Sequence, residues 1–256
     1  MPTSRPLIFA TPDDEPLARA MAQQIDCDLG ALEHRRFPDG ERYLRVLDRV
    51  NGRRVAVVGG TGDDRQTLDL YDLASGLAQQ GARSLTLFIP FFGYGTMERL
   101  SLPGEVVKAK ARARLFSSLP IPDAGRAKWV ERLANDLGVP AAFVYKRRHG
   151  DGRTEVTAVN ACVEGQNVVI YDDMIRSGGS LIGAARAYRE AGAARIWAVA
   201  THGVLPGDAL ARLRESGLFE RVVCTDSHPR ARALACDFLR VESVAPIFAE
   251  QLLALA

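Results

Sequence analysis

The chain has 256 residues, of which 47% are hydrophobic and 25% charged, and its formal net charge is +2 at pH 7. These values are ordinary for a globular protein of one large or two modest domains, and they give no support for nucleic acid or a membrane surface as a partner. The four cysteines lack the spacing of a zinc site or a disulfide framework. Without a signal peptide or an apolar stretch long enough to span a membrane, the sequence predicts a cytoplasmic protein.

Short apolar runs alternate with segments of helical periodicity along the whole chain. The first half has predicted strands at 55–59 and 84–90 and predicted helices at 66–80 and 105–118. The second half has predicted strands at 167–173, 196–202 and 222–226 and predicted helices at 181–191 and 208–216. This alternation is typical of α/β folds with mostly parallel sheets. Because residues 80–90 and 191–201 resemble each other, we expect two related domains, 1–120 and 121–256, joined near Leu119-Pro-Ile-Pro122.

The segment from Val168 onwards has the strongest functional signal. Its apolar run, Val168-Val-Ile-Tyr171, is typical of a strand that is buried on both faces, and Asp172 and Asp173 end it. Arg176-Ser-Gly-Gly-Ser180, here called the glycine loop, then opens the next helix, where small residues leave backbone N–H groups available to an anion. A sugar 5-phosphate fits such a site, and the carboxylates suit ribose hydroxyls or hydrated magnesium. The alternative is an ordinary turn with an Asp as helix cap.

Five motifs in chain order resemble those of the ribose-phosphate pyrophosphokinases, also called phosphoribosyl pyrophosphate synthetases. They are Phe37-Pro-Asp-Gly-Glu-Arg42, Ile89-Pro-Phe-Phe-Gly-Tyr94, Lys146-Arg-Arg148, the Val169 to Ser180 segment and Ala200-Thr-His-Gly-Val204. The resemblance implies two phosphoribosyltransferase-like, Rossmann-like halves. The glycine loop alone also fits a type I phosphoribosyltransferase, but five ordered motifs are more specific than one.

The resemblance also implies a reaction, in which the C1 hydroxyl of ribose 5-phosphate attacks the β-phosphorus of ATP and AMP is released. It implies Mg²⁺ as cofactor and a homo-oligomer in which a neighbouring subunit supplies the adenine loop. The implied ATP-binding residues are Phe37, Asp39, Gly40, Glu41 and Arg99, and the implied catalytic cations, on a flexible loop, are Lys146 and Arg148. The implied ribose 5-phosphate ligands are Asp172, Asp173, Arg176, Ser177, Gly178, Gly179 and Ser180, and the implied metal ligand is Asp123.

Several of these segments also have simpler interpretations. Residues 146–148 alone fit a solvated basic turn, and Pro-Asp-Gly in residues 38–40 is a common turn sequence. The basic helix carrying Lys108, Lys110, Arg112 and Arg114 fits a solvated or inter-subunit face, because no aromatic residues interleave it. His202 and His228, at predicted strand ends, are weaker site candidates, since structural histidines are more common.

The sequence departs from the family pattern at two places. The family's Arg-Gln-Asp-Arg, which contacts ATP, is here Thr96-Met-Glu-Arg99, and Thr96 and Met97 cannot replace an Arg fork on phosphate. The family's Asp-Leu-His segment, with its magnesium-binding histidine, should follow residue 118 and is absent. About one strand-helix-strand unit is missing there, so we expect re-paired sheets and an incomplete magnesium site.

Two other functions therefore stay open beside synthesis of phosphoribosyl pyrophosphate. A catalytically silent regulatory homologue would bind a synthetase partner or a nucleotide without forming AMP. A type I phosphoribosyltransferase would act on a base, although the adenine-type loop at residues 37–41 argues against it. Product analysis with ATP, magnesium and ribose 5-phosphate separates the three.

Overall fold

The computed structural model describes residues 5–100, 102–119, 144–148, 154–159 and 163–255, and the segments 144–148 and 154–159 by their backbone alone. Within these ranges, no helix combines the length and the apolar character that crossing a bilayer requires. The chain divides into two compact units. The first comprises Met1–Asp123, Ser227–Pro229 and Ser243–Ala256, and the second comprises Ala124–Asp226 and Arg230–Glu242.

The first unit is built on a three-stranded parallel sheet and a separate two-stranded antiparallel hairpin. In chain order its described elements are β1 (Leu7–Ala10), α1 (Glu15–Gln24), β2 (Leu32–Arg36), β3 (Arg42–Val46), β4 (Arg54–Val58), α2 (Asp64–Gln79), β5 (Ser84–Phe88) and α3 (Lys108–Ser117). The strand order of the parallel sheet is β1-β4-β5, and β2 pairs with β3. The strands and helices predicted in this half are confirmed to within a few residues.

Alternation along the strands decides which helices cover each face of this sheet. Ile8 and Val58 pack with α1, whereas Phe9 and Val57 pack with α2. Successive side chains of a strand point to opposite faces, so one continuous apolar run can supply two cores. This is why the strands are uninterrupted runs of apolar residues rather than alternating ones.

The C-terminal helix of the chain packs in the first unit. It follows residues of the second unit in sequence and spans Ala245–Ala254. Its buried residues Ala249 and Leu252 belong to the cluster of α1 and β1, and the Phe88 and Phe248 ring centroids are 5.2 Å apart. The sequence-based division into 1–120 and 121–256 assigned this helix to the second domain, yet its contacts are with the first.

Substitution of a buried side chain of this helix should destabilise the first unit. Leu252 is 3% exposed, so Leu252→Ala should lower the free energy of unfolding by about 2–4 kcal/mol, through lost burial and an unfilled cavity. The neighbouring Leu253 is 54% exposed, and Leu253→Ala should change the free energy of unfolding by about 0.5 kcal/mol or less. Urea unfolding of the two variants checks this, and equal stability would contradict the packing.

The second unit is built on a four-stranded parallel sheet. Its described elements are β6 (Val144–Arg148), β7 (Thr154–Val159), β8 (Asn167–Ile175), α4 (Gly179–Glu190), β9 (Arg195–Gly203), α5 (Ala209–Glu215), β10 (Arg221–Thr225), α6 (Pro229–Ala233) and β11 (Leu239–Glu242). The C-terminal helix of the first unit, Ala245–Ala254, is α7. The strand order is β11-β10-β9-β8, and β6 and β7 form an antiparallel hairpin. The predicted strands and helices of residues 167–226 are confirmed.

Strand β8 differs from its prediction in two ways. It continues through Asp172 and Asp173 to Ile175 rather than ending at the acids. Val169 is 61% and Tyr171 42% exposed, so the prediction of a strand buried on both faces is wrong. The physical reason is its place in the sheet: among the described strands β8 pairs with β9 alone, and apolar composition does not report whether a strand is central or peripheral.

Candidate functional sites

The glycine loop joins the carboxyl end of β8 to the first turn of α4. Gly178 adopts φ +75° and is buried, and a Cβ added there would lie 2.9 Å from Leu213 Cγ. Glycine is therefore required at position 178 both by backbone conformation and by space. Gly179 is exposed, and a Cβ there would come no closer than 3.8 Å to Ser177 Oγ.

The start of α4 leaves backbone amides available. Its first hydrogen bond runs from Ile182 N to Gly178 O at 3.0 Å, and no side chain caps the helix, so the alternative of an Asp cap is not realised. The first N–H groups of a helix lack intrahelical acceptors, and the helix dipole adds positive potential there. Arg176, Ser177 and Ser180 are exposed around them. The loop can therefore present amides, hydroxyls and a guanidinium to one anion.

The two carboxylates beside the loop do not lie side by side. Asp172 is half-buried and Asp173 exposed, and Asp173 N donates to Asp172 Oδ1 at 3.0 Å. Neighbouring residues of a strand point to opposite faces. A sugar that meets both carboxylates must therefore lie along the edge of β8 opposite β9, where no other described strand pairs, rather than over one face of the sheet.

The ends of β9 and β10 lie next to these acids. Thr225 Oγ1 donates to Thr201 O at 2.7 Å, and the Tyr171 and Thr201 hydroxyls are 3.2 Å apart. Burial lowers the pKa of His202, which the Asp173 carboxylate opposes, so His202 is held towards its neutral form. The carboxyl ends of β8, β9 and β10 are therefore linked by polar side chains.

The predicted adenine loop, residues 37–41, is the turn of the β2–β3 hairpin. Phe37 N donates to Glu41 O at 2.8 Å, and Asp39 Oδ1 accepts from Glu41 N at 3.1 Å. Gly40 adopts φ +97°, which favours glycine. The Phe37 ring is 42% exposed and meets the Tyr43 ring edge-on at 6.2 Å. The turn predicted from Pro-Asp-Gly is confirmed, and the partly exposed Phe37 ring has the Arg35 guanidinium 6.0 Å from its centroid.

The carboxyl ends of β1, β4 and β5 are tied together by buried polar contacts that sequence reasoning missed. Asp14 Oδ2 accepts from Gly60 N at 2.7 Å, and Thr61 Oγ1 accepts from Gly93 N at 2.9 Å. A Cβ at position 93 would overlap the Thr61 carbonyl oxygen, which explains the glycine of the Ile89 to Tyr94 motif. No local pattern marks these contacts, because each joins segments more than 30 residues apart.

Beyond Gly93, four charged or aromatic side chains meet in what is here called the Tyr94 cluster: Asp64, Tyr94, Lys108 and Arg112. The Tyr94 hydroxyl donates to Asp64 Oδ1 at 2.5 Å, and Arg112 pairs with the same oxygen. This hydrogen bond lowers the pKa of Asp64 and raises that of Tyr94. Lys108 Nζ lies 5.0 Å and Arg112 Cζ 5.3 Å from the Tyr94 ring centroid. Arg112 is therefore paired within the unit, whereas Lys108 is exposed, as expected for a solvated face.

The predicted catalytic cations lie on a strand rather than a loop. Lys146 and Arg148 belong to β6, where positions 146 and 148 pair with Val156 and Thr154 of β7. Their positions share one face of the hairpin and position 147 the other. The prediction of a flexible loop at residues 146–148 is wrong, because these residues form a strand that pairs with β7. Nothing in their own sequence indicates this pairing.

The remaining predicted residues lie in the first unit or outside the described residues. Arg99 is exposed and follows a short 3₁₀ turn, Gly95–Met97. The His228 ring meets the Phe91 ring edge-on at 4.9 Å within the first unit. Asp123 lies outside the described residues.

The first unit also has a cavity of about 280 Å³ between the β2–β3 hairpin and α2. Its wall includes His34, Arg36, Arg42, Arg65, Asp69 and Asp72.

The described side chains could bind Mg²⁺ only together with oxygens of a bound substrate. Within the described ranges, His, Cys, Asp and Glu side chains form no group of three or more that could hold a metal. Mg²⁺ is usually held by one or two carboxylates together with substrate phosphates. Asp172 and Asp173 are hard oxygen donors of this kind next to an anion-ready loop.

Two units with parallel sheets and helices, one of them with a glycine loop after a strand that carries two acids, define a phosphoribosyltransferase-like α/β protein. Comparison with known proteins narrows this class. One family model, the N-terminal domain of ribose phosphate pyrophosphokinase, matches residues 7–119, and another, the phosphoribosyl synthetase-associated domain, matches residues 139–255.

The chain belongs to the ribose-phosphate pyrophosphokinase family. It is 30% identical to a ribose-phosphate pyrophosphokinase of Ralstonia nicotianae, over 95% of this chain and 93% of that protein. It is also 30% identical to one of Methanothermobacter thermautotrophicus, over 95% and 99% of the two chains. Its fold matches the crystal structure of phosphoribosylpyrophosphate synthetase from Mycobacterium smegmatis with a TM-score of 0.86 at 24% identity, covering 98% of this chain and 99% of that one.

The comparisons also bear on the missing segment. The alignment with the Ralstonia protein spans 294 positions, and this chain has 256 residues, so at least 38 positions carry no residue here. This chain is therefore shorter than its relatives within the aligned region. The join predicted after residue 118 falls outside the described residues, so the re-pairing of sheets stays a prediction.

Proposed function

We propose that this protein synthesises phosphoribosyl pyrophosphate from ATP and ribose 5-phosphate. The glycine loop is the observation that carries the proposal. Its backbone amides, left available by the uncapped start of α4, would bind the 5-phosphate together with Arg176, Ser177 and Ser180. Asp172 and Asp173 would accept hydrogen bonds from the ribose hydroxyls along the edge of β8.

The nucleotide side of the proposal rests on the first unit. The exposed ring of Phe37 would stack on adenine, while Asp39 and Glu41 offer hydrogen-bond acceptors and Gly40 allows the turn that presents them. Arg99 would contact the phosphates. In the implied homo-oligomer, this hairpin would serve a neighbouring copy of the chain.

The proposed step is a diphosphoryl transfer. The C1 oxygen of ribose 5-phosphate forms a bond to the β-phosphorus, and the bond from that phosphorus to the α,β-bridging oxygen breaks. AMP leaves with that oxygen, and the C1 hydroxyl proton passes to solvent. Such reactions require little covalent work from the protein, so positioning and neutralisation of phosphate charge dominate, which is the role proposed for Lys146 and Arg148.

Magnesium enters the proposal through the acids and the phosphates. Asp123 is the proposed protein ligand, with further oxygens from ATP. When bound, Mg²⁺ would neutralise phosphate charge and orient the triphosphate. Asp172 and Asp173 would hold the sugar.

One incubation tests the proposed function against its main competitor. A catalytically silent regulatory homologue is favoured by Thr96 and Met97 at the ATP-contacting motif and by the shortened chain. Purified protein is incubated with ATP, magnesium and ribose 5-phosphate, and nucleotides are separated chromatographically. We expect AMP that forms only when ribose 5-phosphate is present. Nucleotide binding without any AMP would instead establish the regulatory homologue.

A further inference from the structure

The Tyr94 cluster lies next to the segment in which this chain lacks the family's phosphate-binding arginine. Thr96 and Met97 come two and three residues after Tyr94, and neither carries a positive charge. ATP nevertheless brings several negative charges to its site. Arg99 remains in this segment, but a second cation, in place of the missing arginine, has to come from elsewhere in the fold.

The geometry offers two cations at this place. Lys108 and Arg112 lie four residues apart on α3, on the same helical face, and both lie over the Tyr94 ring. Tyr94 itself has φ +61°, a left-handed conformation that a tyrosine rarely adopts. Met97 N donates to Tyr94 O at 2.8 Å, so this residue also begins the short 3₁₀ turn that carries Thr96.

The two cations differ in what else they contact. Arg112 pairs with Asp64, which also accepts the Tyr94 hydroxyl, so its charge is largely compensated. Lys108 is exposed, and within the described ranges its ammonium forms no ion pair. It lies over the Tyr94 ring, and its charge also helps to lower the pKa of Asp64. With two cations and one carboxylate the cluster keeps one positive charge. Of the two cations, Lys108 is the more exposed to an incoming anion.

We propose that Lys108 binds the ATP polyphosphate in place of the family's arginine at position 96, and that Asp64 and Arg112 hold Tyr94 and thereby position it. A lysine acts as a point charge on phosphate and does not need the planar fork geometry of arginine. The exposed tip of Lys108 can reach an anion while the ring contact limits its freedom. This inference rests on the proposed function, because it assumes that ATP is the nucleotide.

Binding measurements with Lys108→Gln test the inference without requiring turnover. We expect the affinity for MgATP to fall about tenfold, as a lost charge-assisted phosphate contact implies, and the affinity for adenosine to stay unchanged. Lys108→Arg should restore most of the affinity for MgATP. Lys110→Gln is the matched control, because position 110 lies on the same helix, is also exposed and faces about 200° away.

The outcomes separate this inference from the proposed function. Equal MgATP affinity in Lys108→Gln and Lys110→Gln, in a protein that forms AMP, would overturn the role of Lys108 and leave the synthetase proposal intact. An equal loss for adenosine and MgATP would also overturn it, because the effect would then be structural. Failure of the unmodified protein to bind MgATP would overturn both proposals. Titration calorimetry at fixed ionic strength measures each affinity.

Discussion

Replacement of Lys146 by alanine is expected to lower turnover by about 10²–10³-fold or more, since loss of even one hydrogen-bond donor to a transition state costs this much. Negative charge grows on the oxygen that leaves with AMP as its bond to the β-phosphorus breaks, so a cation beside the phosphates acts mostly in the transition state. The affinity for ribose 5-phosphate should remain nearly unchanged. Steady-state kinetics combined with direct ribose 5-phosphate titration measures both quantities.

The strand observed at β6 supplies the control for this prediction. Position 147 lies on the opposite face of the hairpin from positions 146 and 148. Arg147→Ala therefore removes one positive charge from the hairpin but leaves both proposed catalytic cations in place. We expect Arg147→Ala to retain most of the activity. Comparable losses of sugar binding and turnover in Lys146→Ala would contradict the assignment, because they would indicate a structural defect.

Substitution of Gly178 by alanine should have the second large effect, on sugar-phosphate binding. The positive φ costs an alanine about 1–2 kcal/mol. The added methyl group, 2.9 Å from Leu213 Cγ, forces a repacking that costs about 1–3 kcal/mol more. Because the loop can relieve this strain by moving, its amides should lose their common direction. Affinity for ribose 5-phosphate should fall about tenfold or more.

Gly179→Ala is the matched control for the loop. Its Cβ would meet only Ser177 Oγ, at an ordinary contact distance of 3.8 Å. We expect unchanged stability and nearly unchanged affinity for ribose 5-phosphate. Urea unfolding identifies any global loss of structure in Gly178→Ala, and titration calorimetry gives the affinities. If both variants bound the sugar phosphate equally well, the loop would not be its site.

The parallel strands could be predicted because each is a short, continuous apolar run. Residues 54–58 and 84–88 are paired in β4 and β5 much as their composition indicates. The glycine loop could be predicted for a similar reason, since its glycines and hydroxyls are consecutive in sequence. In these cases all of the information lies within about ten residues.

The features that could not be predicted depend on contacts distant in sequence. Helix α7 lies on α1, and nothing in its own periodicity indicates which unit it joins. Arg112 looks like a solvated cation until Asp64, 48 residues earlier, is placed beside it. The exposure of Val169 likewise reflects the neighbours of β8 rather than its composition. Local patterns predict elements, whereas the identity of their partners is a property of the fold.

The β2–β3 hairpin is an intermediate case. Its turn was predicted from Pro-Asp-Gly, but its strands, Leu32–Arg36 and Arg42–Val46, are rich in arginine and carry little apolar signal. Arg35 lies 4.4 Å from the centroid of the Tyr43 ring, and Arg42 Nη1 is 2.5 Å from Asp69 Oδ1. Cation–π and ion-pair contacts thus accompany backbone pairing here. Such contacts are visible only when the partner positions are known.

The most direct measurement follows the carbon whose oxygen would form the new bond. Ribose 5-phosphate labelled with ¹³C at C1 is incubated with MgATP and the protein, and ¹³C spectra are recorded with and without phosphorus decoupling. Synthesis of phosphoribosyl pyrophosphate predicts a C1 resonance newly coupled to phosphorus, with AMP formed in equal amount. An uncoupled C1 resonance after prolonged incubation with a protein that binds both substrates would contradict the proposed function.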